Sequence, residues 1–424
     1  MLKRWVAIFG FLGLLLVSLS GAQAAIQKQQ TVLFPVQGAG TTTSASFATT
    51  PSRGNVVVVS VWAWAGNQLP GPDIISVSDT CGNVYSTLPQ VALGPVPGAN
   101  GYQDGALLSA VITNACSPFI MTARTARTGV GSAWNGLSQV EATAVEYSGL
   151  AGLDQQRTVT GTTPTATISL SGPTTSPNQL VSALVSILWP AVNFGSFTTT
   201  GTGTWTQLGF FPDNNGFPAG QSSDQVIATQ GTTPTITWTA TSNSMSAWAA
   251  AIVAFRPDSG CISASPGGSW NTPATWISCD GGIPLAGSSA TIAAGAPVTI
   301  DAPVVSAIGR IIVQAGSTLN ATAAGTITLG GSAGSAGIIN DGTLNLSAAN
   351  VTLGNSLSLG GGGSFTLGNM SLGTKALSAV GVTSAVTVKG NLTGTGSFSP
   401  GASPWTFSGS AAQTIPGTGG VTFG

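Results

Sequence analysis

The chain has 424 residues, 42% of them apolar, with 59 glycines, 11 Lys+Arg against 12 Asp+Glu, and no histidine. Charged residues make up only 5%, too few to clothe the solvated faces of helices, so a helical protein is excluded. The lack of histidine removes the commonest general base, the usual Ser-His-Asp triad and the commonest transition-metal ligand.

Residues 1–24 read as a secretory signal. Lys3 and Arg4 precede an apolar stretch from Trp5 to Leu19, and Ala22-Gln23-Ala24 supplies a small-x-small cleavage site, so the mature chain is expected to begin at Ala25. The apolar run is shorter than the roughly 20 residues that span a bilayer, and no later run resembles a transmembrane helix. Loss of Lys3 and Arg4 leaves nine basic residues against twelve acidic ones, a net charge of −3. That balance offers no footprint for nucleic acid. The one basic cluster, Arg124 and Arg127, has an odd spacing that sends the two side chains to opposite faces of a strand.

Residues 25–257 form the first region, expected to be a β-sandwich of jelly-roll type. Its strand-like runs are Asn55–Ala65, Ala106–Thr113, Val140–Tyr147, Gln179–Trp189, Gln225–Thr229, Pro234–Ala240 and Ala247–Arg256. They are rich in β-branched and aromatic residues and are separated by turn sequences such as PGPD and PDNNG. The last run reads as the closing strand. The cysteines of an exported chain imply two disulfides, and proximity favours Cys81–Cys116 and Cys261–Cys279. A zinc site lacks both histidine and CxxC spacing.

From 258 to 424 the strands shorten and Gly marks the corners. The unit x-Thr-Leu-Gly recurs at Ile327–Gly330, Val351–Gly354 and Phe365–Gly368. Apolar i, i+2 pairs Val298/Ile300, Leu344/Leu346, Leu357/Leu359 and Val386/Val388 enclose Ser, Thr or Asn, placing one face inward and the other toward water, and Ile311/Val313 repeats the spacing around Ile312. This pattern predicts a parallel β-helix, with a second sandwich as the competing reading. Ser, Thr and Asn ladders on the outer face explain the missing charge, because like charges stacked about 4.8 Å apart repel. Trp270 and Trp276 flank the Cys261–Cys279 segment and are expected to plug the first coil.

The run Gly268-Ser-Trp270-Asn-Thr-Pro-Ala-Thr-Trp276, with Cys261, Cys279, Val298-Thr-Ile-Asp301 and Ile311-Ile-Val-Gln-Ala-Gly316, resembles the entry segment of β-helical regions in large bacterial surface proteins. It resembles in particular the MshQ-like proteins of the MSHA-type pilus biogenesis group. Val77-Ser-Asp79-Thr-Cys-Gly-Asn83, Val145-Glu146-Tyr147-Ser-Gly149 and Ala254-Phe255-Arg256 resemble sandwich modules of such proteins. The resemblance implies a surface or pilus-associated protein. Members are generally longer, and Trp405 through Gly424 reads as a rung that should continue, so the chain is expected to be a fragment or to have this end covered by a partner.

Candidate chemistry is sparse. Glu141 and Glu146 are five apart in one strand-like run, which puts them on opposite faces and denies them a paired role. Asp73, Asp79 and Asp104 suit Asx turns, with Asp79 and Asn83 as a possible calcium pair. Asp301 and Asp341 stand alone among neutral rungs, and no Ser-x-x-Lys motif replaces the triad. Trp62 and Trp64 share one strand face, where they serve either as a sugar platform or as packing between sheets. The Asn-x-Ser/Thr sites at Asn320, Asn345, Asn350, Asn369 and Asn391 arise readily in a chain so rich in Ser and Thr.

The reading is therefore an exported, non-enzymatic cell-surface or pilus-associated structural or adhesion protein, without cofactor or metal. Its partners are expected to be pilus or other surface proteins, or glycans. The alternatives are a carbohydrate-binding protein and a polysaccharide lyase or hydrolase built on the β-helix.

Overall fold

The structure is a computed structural model and describes residues 25–35, 41–66, 73–93, 101–127, 138–188, 197–211, 219–240, 247–258, 260–279, 282–322, 325–330, 336–410, 413 and 415. The expected signal segment lies outside these residues. The fold is all-β, antiparallel in its first part and a parallel solenoid of about five turns in its second. Among the described residues, no helix is long and apolar enough to cross a membrane.

The antiparallel part contains two jelly rolls. The first has strands β1 (Gln27–Leu33), β2 (Thr42–Ser46), β3 (Val56–Gly66), β4 (Asp73–Asp79), β5 (Ser86–Leu93), β6 (Gly101–Val111), β7 (Ile120–Arg127) and β8 (Ser138–Ser148). The second has β9 (Leu150–Gly161), β10 (Thr165–Ser169), β11 (Gln179–Leu188), β12 (Phe197–Gly201), β13 (Thr206–Phe211), β14 (Ala219–Ile227), β15 (Thr235–Ala240) and β16 (Ala247–Pro257). The first pairs its strands as β1-β8-β3-β6-β5 and β2-β7-β4; the second as β9-β16-β11-β14-β13 and β10-β15-β12. Adding eight to each label turns the first pattern into the second, so the chain holds an internal duplication. Each closing strand leaves through a left-handed glycine, Gly149 (φ 70°) and Gly260 (φ 62°), a conformation that a Cβ disfavours.

The sheets stack four deep, with the two five-stranded sheets back to back. Alternate residues of β3 go to different cores. Val57, Val59 and Val61 meet Ile75, Val77 and Met121 of the first outer sheet, while Val56, Val58 and Trp62 meet Leu180, Leu184 and Ala251 of the second jelly roll. Likewise β11 sends Val181, Ala183 and Val185 toward Ile168, Ile236 and Trp238. Burial on both faces explains why these strands read as unbroken apolar runs rather than alternating ones.

The solenoid winds two parallel sheets around one core. Val298, Leu319, Leu344, Phe365, Val386 and Trp405 form one inward column, and Ala290, Ile311, Ile338 and Leu359 form a facing one. Between inward residues, Thr299, Asn320, Asn345, Thr366, Thr387 and Thr406 stack as an outward ladder. The other sheet departs from the expected inward-and-wet alternation. Both Ala336–Asn340 and Leu357–Gly361 are buried throughout, because their outer face docks on the first jelly roll. Glycine makes this possible: a Cβ on Gly360 would sit 2.4 Å from the Thr113 carbonyl oxygen, and one on Gly337 would sit 2.8 Å from Val111 Cγ1.

Candidate functional site

Both disulfides form with the expected pairing. Cys81–Cys116 spans 5.4 Å between Cα atoms beside the exit of β4, and Cys261–Cys279 spans 4.5 Å at the solenoid entry. Within that entry Trp270 and Trp276 are buried edge to face, their centroids 5.0 Å apart, and the Trp276 indole N–H donates to the Trp270 carbonyl at 2.7 Å. Both belong to the solenoid core.

Trp62 is not a sugar platform. It is 3% exposed in the interface between the jelly rolls, where its indole N–H donates to the Val185 carbonyl of β11 at 2.9 Å. A buried indole whose polar edge is already bonded has no face to offer a ligand. Trp64 occupies its strand position opposite Gln139, and its side chain lies outside the described residues, as does that of Asp73. Asp104 is buried on the other face of its sheet, beside Ala63.

The acidic residues are placed by the same hydrogen-bond logic. Glu146 accepts from the Gln30 amide at 2.6 Å, the Ser52 N–H at 2.8 Å and the Asn55 amide at 2.6 Å. Asp79 closes its turn by accepting from the N–H groups of Cys81 and Asn83 at 2.9 and 3.1 Å and the Asn83 amide at 3.0 Å. Asn83 Oδ1 in turn accepts from the backbone of Thr113 and Asn114. Both oxygens proposed for calcium are thereby occupied, and burial pushes the Asp79 carboxyl above its ordinary value. Among the described residues no three His, Cys, Asp or Glu gather as a metal site. Asp301 accepts from the Ser269 hydroxyl at 2.6 Å. Asp341 is not isolated: Arg53 of the first jelly roll pairs with it at 3.1 Å. The Asn-x-Ser/Thr asparagines are ladder residues, with Asn345 donating to Asn320 at 2.8 Å and Asn369 to Asn350 at 3.2 Å.

Two features remain that carry unusual electrostatics. The first is Glu141, half-buried on β8 directly opposite Trp62, on the face that meets the second jelly roll. Burial raises its carboxyl from 4.5 to about 7, outweighing the Gln139 amide that donates to it at 2.8 Å. A carboxylic acid still protonated near neutral pH is the form a general acid needs.

The second is a junction that sequence reasoning missed. Arg310 is buried, and its guanidinium donates to the Asp258 carboxylate and to the Gly54 carbonyl. Asp258 also accepts from the Ser289 hydroxyl at 2.6 Å and the Gly260 N–H at 3.1 Å. One side chain thus ties the first jelly roll, the connection after β16 and the solenoid together. A cavity of about 20 Å³ beside it is lined by Val56, Val111, Leu150, Phe255 and Ser289, room for one water. The sequence signal was an arginine in an otherwise neutral rung, facing an aspartate directly after the closing strand.

No protein family matches the chain, and no curated protein matches it. Among solved structures it is similar to the catalytic domain of a GH87 alpha-1,3-glucanase in complex with nigerose, at 12% identity over 56% of this chain and 51% of that one, with a TM-score of 0.16. A variant of such a domain in complex with tetrasaccharides gives 10% identity, 58% and 62% coverage and a TM-score of 0.17. The chain therefore spans between half and two thirds of those domains. The expectation of a non-enzymatic chain is withdrawn on this finding, since the structures it matches are catalytic domains. At these TM-scores the likeness brings no activity, substrate or residue to this chain.

Proposed function

We propose that the chain is an exported cell-surface structural or adhesion protein, associated with a pilus or similar assembly, that carries a jelly-roll pair on a β-solenoid. The observation that supports this most is the interlocked junction. Besides the Arg310–Asp258 pair, the Ser378 hydroxyl donates to the Gly82 carbonyl at 2.9 Å, and the Val84 N–H donates to the Ser358 hydroxyl at 2.9 Å. Such contacts hold the two parts in one orientation, which a load-bearing or displaying protein needs. Two disulfides suit an oxidising compartment. In the native host, surface protease treatment of intact cells should remove the protein, and deletion of its gene should reduce attachment. Protein retained inside the cell with reduced cysteines, or attachment unchanged by deletion, would overturn the proposal.

A second reading, cleavage of extracellular glycan, is favoured by one observation: the Glu141 carboxyl raised to about 7. Glycan release by the purified protein, lost in Glu141→Gln with folding intact, would support it; no release from a panel of neutral glycans would end it.

A further inference from the structure

The interface between the five-stranded sheets is not apolar throughout. Thr143 of β8 and Ser182, Ser186 and Ser222 of the second jelly roll are buried there at no more than 1% exposure, and their hydroxyls have no hydrogen-bond partner. All four lie on the facing sides of the two sheets. Thr143 shares its face with Val145, and the three serines share theirs with Leu180 and Leu184. Glycines bring the sheets close at these points: a Cβ on Gly209 would lie 2.1 Å from Thr143 Oγ1, and one on Gly220 would lie 2.5 Å from Trp62 Nε1. In the ladders Gly209 pairs with Ser222, and Gly220 with Ser186. The orphan hydroxyls therefore follow one seam. At one end Tyr147 donates to Asp224 at 2.5 Å, and Lys28 pairs with Asp224 at 3.2 Å. At the other end stand Trp62 and Glu141.

Buried hydroxyls left without a partner cost about 1–3 kcal/mol each, so this seam is the weakly held part of the interface. We propose that this seam is a proton-controlled joint between the two jelly rolls, closed while Glu141 at its mouth is protonated and loosened when Glu141 ionises.

The other charged or titratable groups facing the seam are Lys28, Tyr147 and Asp224, already bound to one another. Asp104 and Glu146 lie on the opposite face of the first five-stranded sheet, beside Ala63 and Val57. Glu141 is thus the group left to respond near neutrality, with its carboxyl raised by burial from 4.5 to about 7. The closed seam binds a proton that the open one releases. Opening should therefore become easier as pH rises from 4.5 to about 7 and change no further above that.

Hydrogen exchange on the full chain tests this, corrected for the intrinsic pH dependence of exchange. Protection of the Trp62 indole N–H and of the β8 and β14 amides should fall about tenfold per pH unit across that window and then level off. In Glu141→Gln it should stay flat, while the β9–β16 amides behave alike in both proteins. Thr143→Val, which removes one orphan hydroxyl without changing shape, should raise protection at every pH. Wild-type protection independent of pH, or a pH dependence that survives in Glu141→Gln, would overturn the proposal. Neither outcome bears on surface attachment.

Discussion

The jelly-roll pair and the solenoid both shun charge, for different reasons. In the jelly rolls the central strands are covered on both faces, so a side chain such as Val59 has no route to water. Several of the charges that remain sit at seams with partners: Lys28 with Asp224, and Arg256 with Asp154 at 2.6 Å. For Asp154 burial raises the carboxyl, but hydrogen bonds from Gln179, Thr175 and Arg256 prevail and hold it below the ordinary value. The solenoid has a single core, and its half-buried outward ladder faces water, yet it is equally neutral. There the constraint is repetition, because parallel in-register strands place each outward side chain about 4.8 Å from its copy in the next rung. The same composition thus arises from double burial in one region and from stacking in the other.

The widest gap between the two regions should appear when one charge is placed in each. Val59→Asp buries an unpaired carboxylate between two sheets and should cost about 4 kcal/mol or more, seen as an unfolded or aggregated first jelly roll by circular dichroism. Next, Phe365→Ala empties one position of the solenoid column and should cost about 3–5 kcal/mol in urea unfolding. A loss below 1 kcal/mol would mean that the column is loosely packed rather than continuous.

Glu141→Gln should act at the seam alone. Wild-type Glu141 is protonated in the folded chain at pH values where the unfolded chain, with an ordinary value of 4.5, has ionised. Its contribution is fully present below 4.5 and is lost as pH rises through about 7. The variant should match wild type in acid and exceed it by about 3 kcal/mol above neutrality, as read by chemical denaturation across pH. The smallest effect belongs to the ladder. Asn345→Asp sets one carboxylate among neutral neighbours at the surface and should cost less than about 1 kcal/mol, but adding Asn320→Asp should cost more than twice as much because the two charges stack.

The contrast between regions also governs what was legible in the sequence. Strands buried on both faces, such as β3, β8, β11 and β16, announce themselves as long runs of Val, Ile, Ala and Trp, and their boundaries were read within a few residues. The outer strands resemble turn sequence: β10 (TATIS) buries only Ala166 and Ile168, and β12 (FTTTG) buries only Phe197. With only β15 of the outer sheets read, as Pro234–Ala240, the duplication was missed, although Gln29-Gln30-Thr31-Val32 and Gln155-Gln156-Arg157-Thr158-Val159 begin the two copies alike. The disulfide pairs and the entry tryptophans were legible because proximity and composition sufficed. The burial of Trp62 between sheets was one of the two readings its strand face offered, whereas the raised carboxyl of Glu141 was not legible, because it depends on burial against the second jelly roll. Arg310 and Asp258 were hidden for the same reason, their partnership being created only by docking.

Calorimetry on the Arg310→Met variant tests the interlocked body most directly. Removing one member of a buried ion pair strands the other and should cost about 3–5 kcal/mol. Wild type should unfold in one transition, and Arg310→Met should split it into two as the solenoid and the jelly-roll pair uncouple. Two transitions already in wild type, or one unshifted transition in the variant, would contradict a single body joined at this residue.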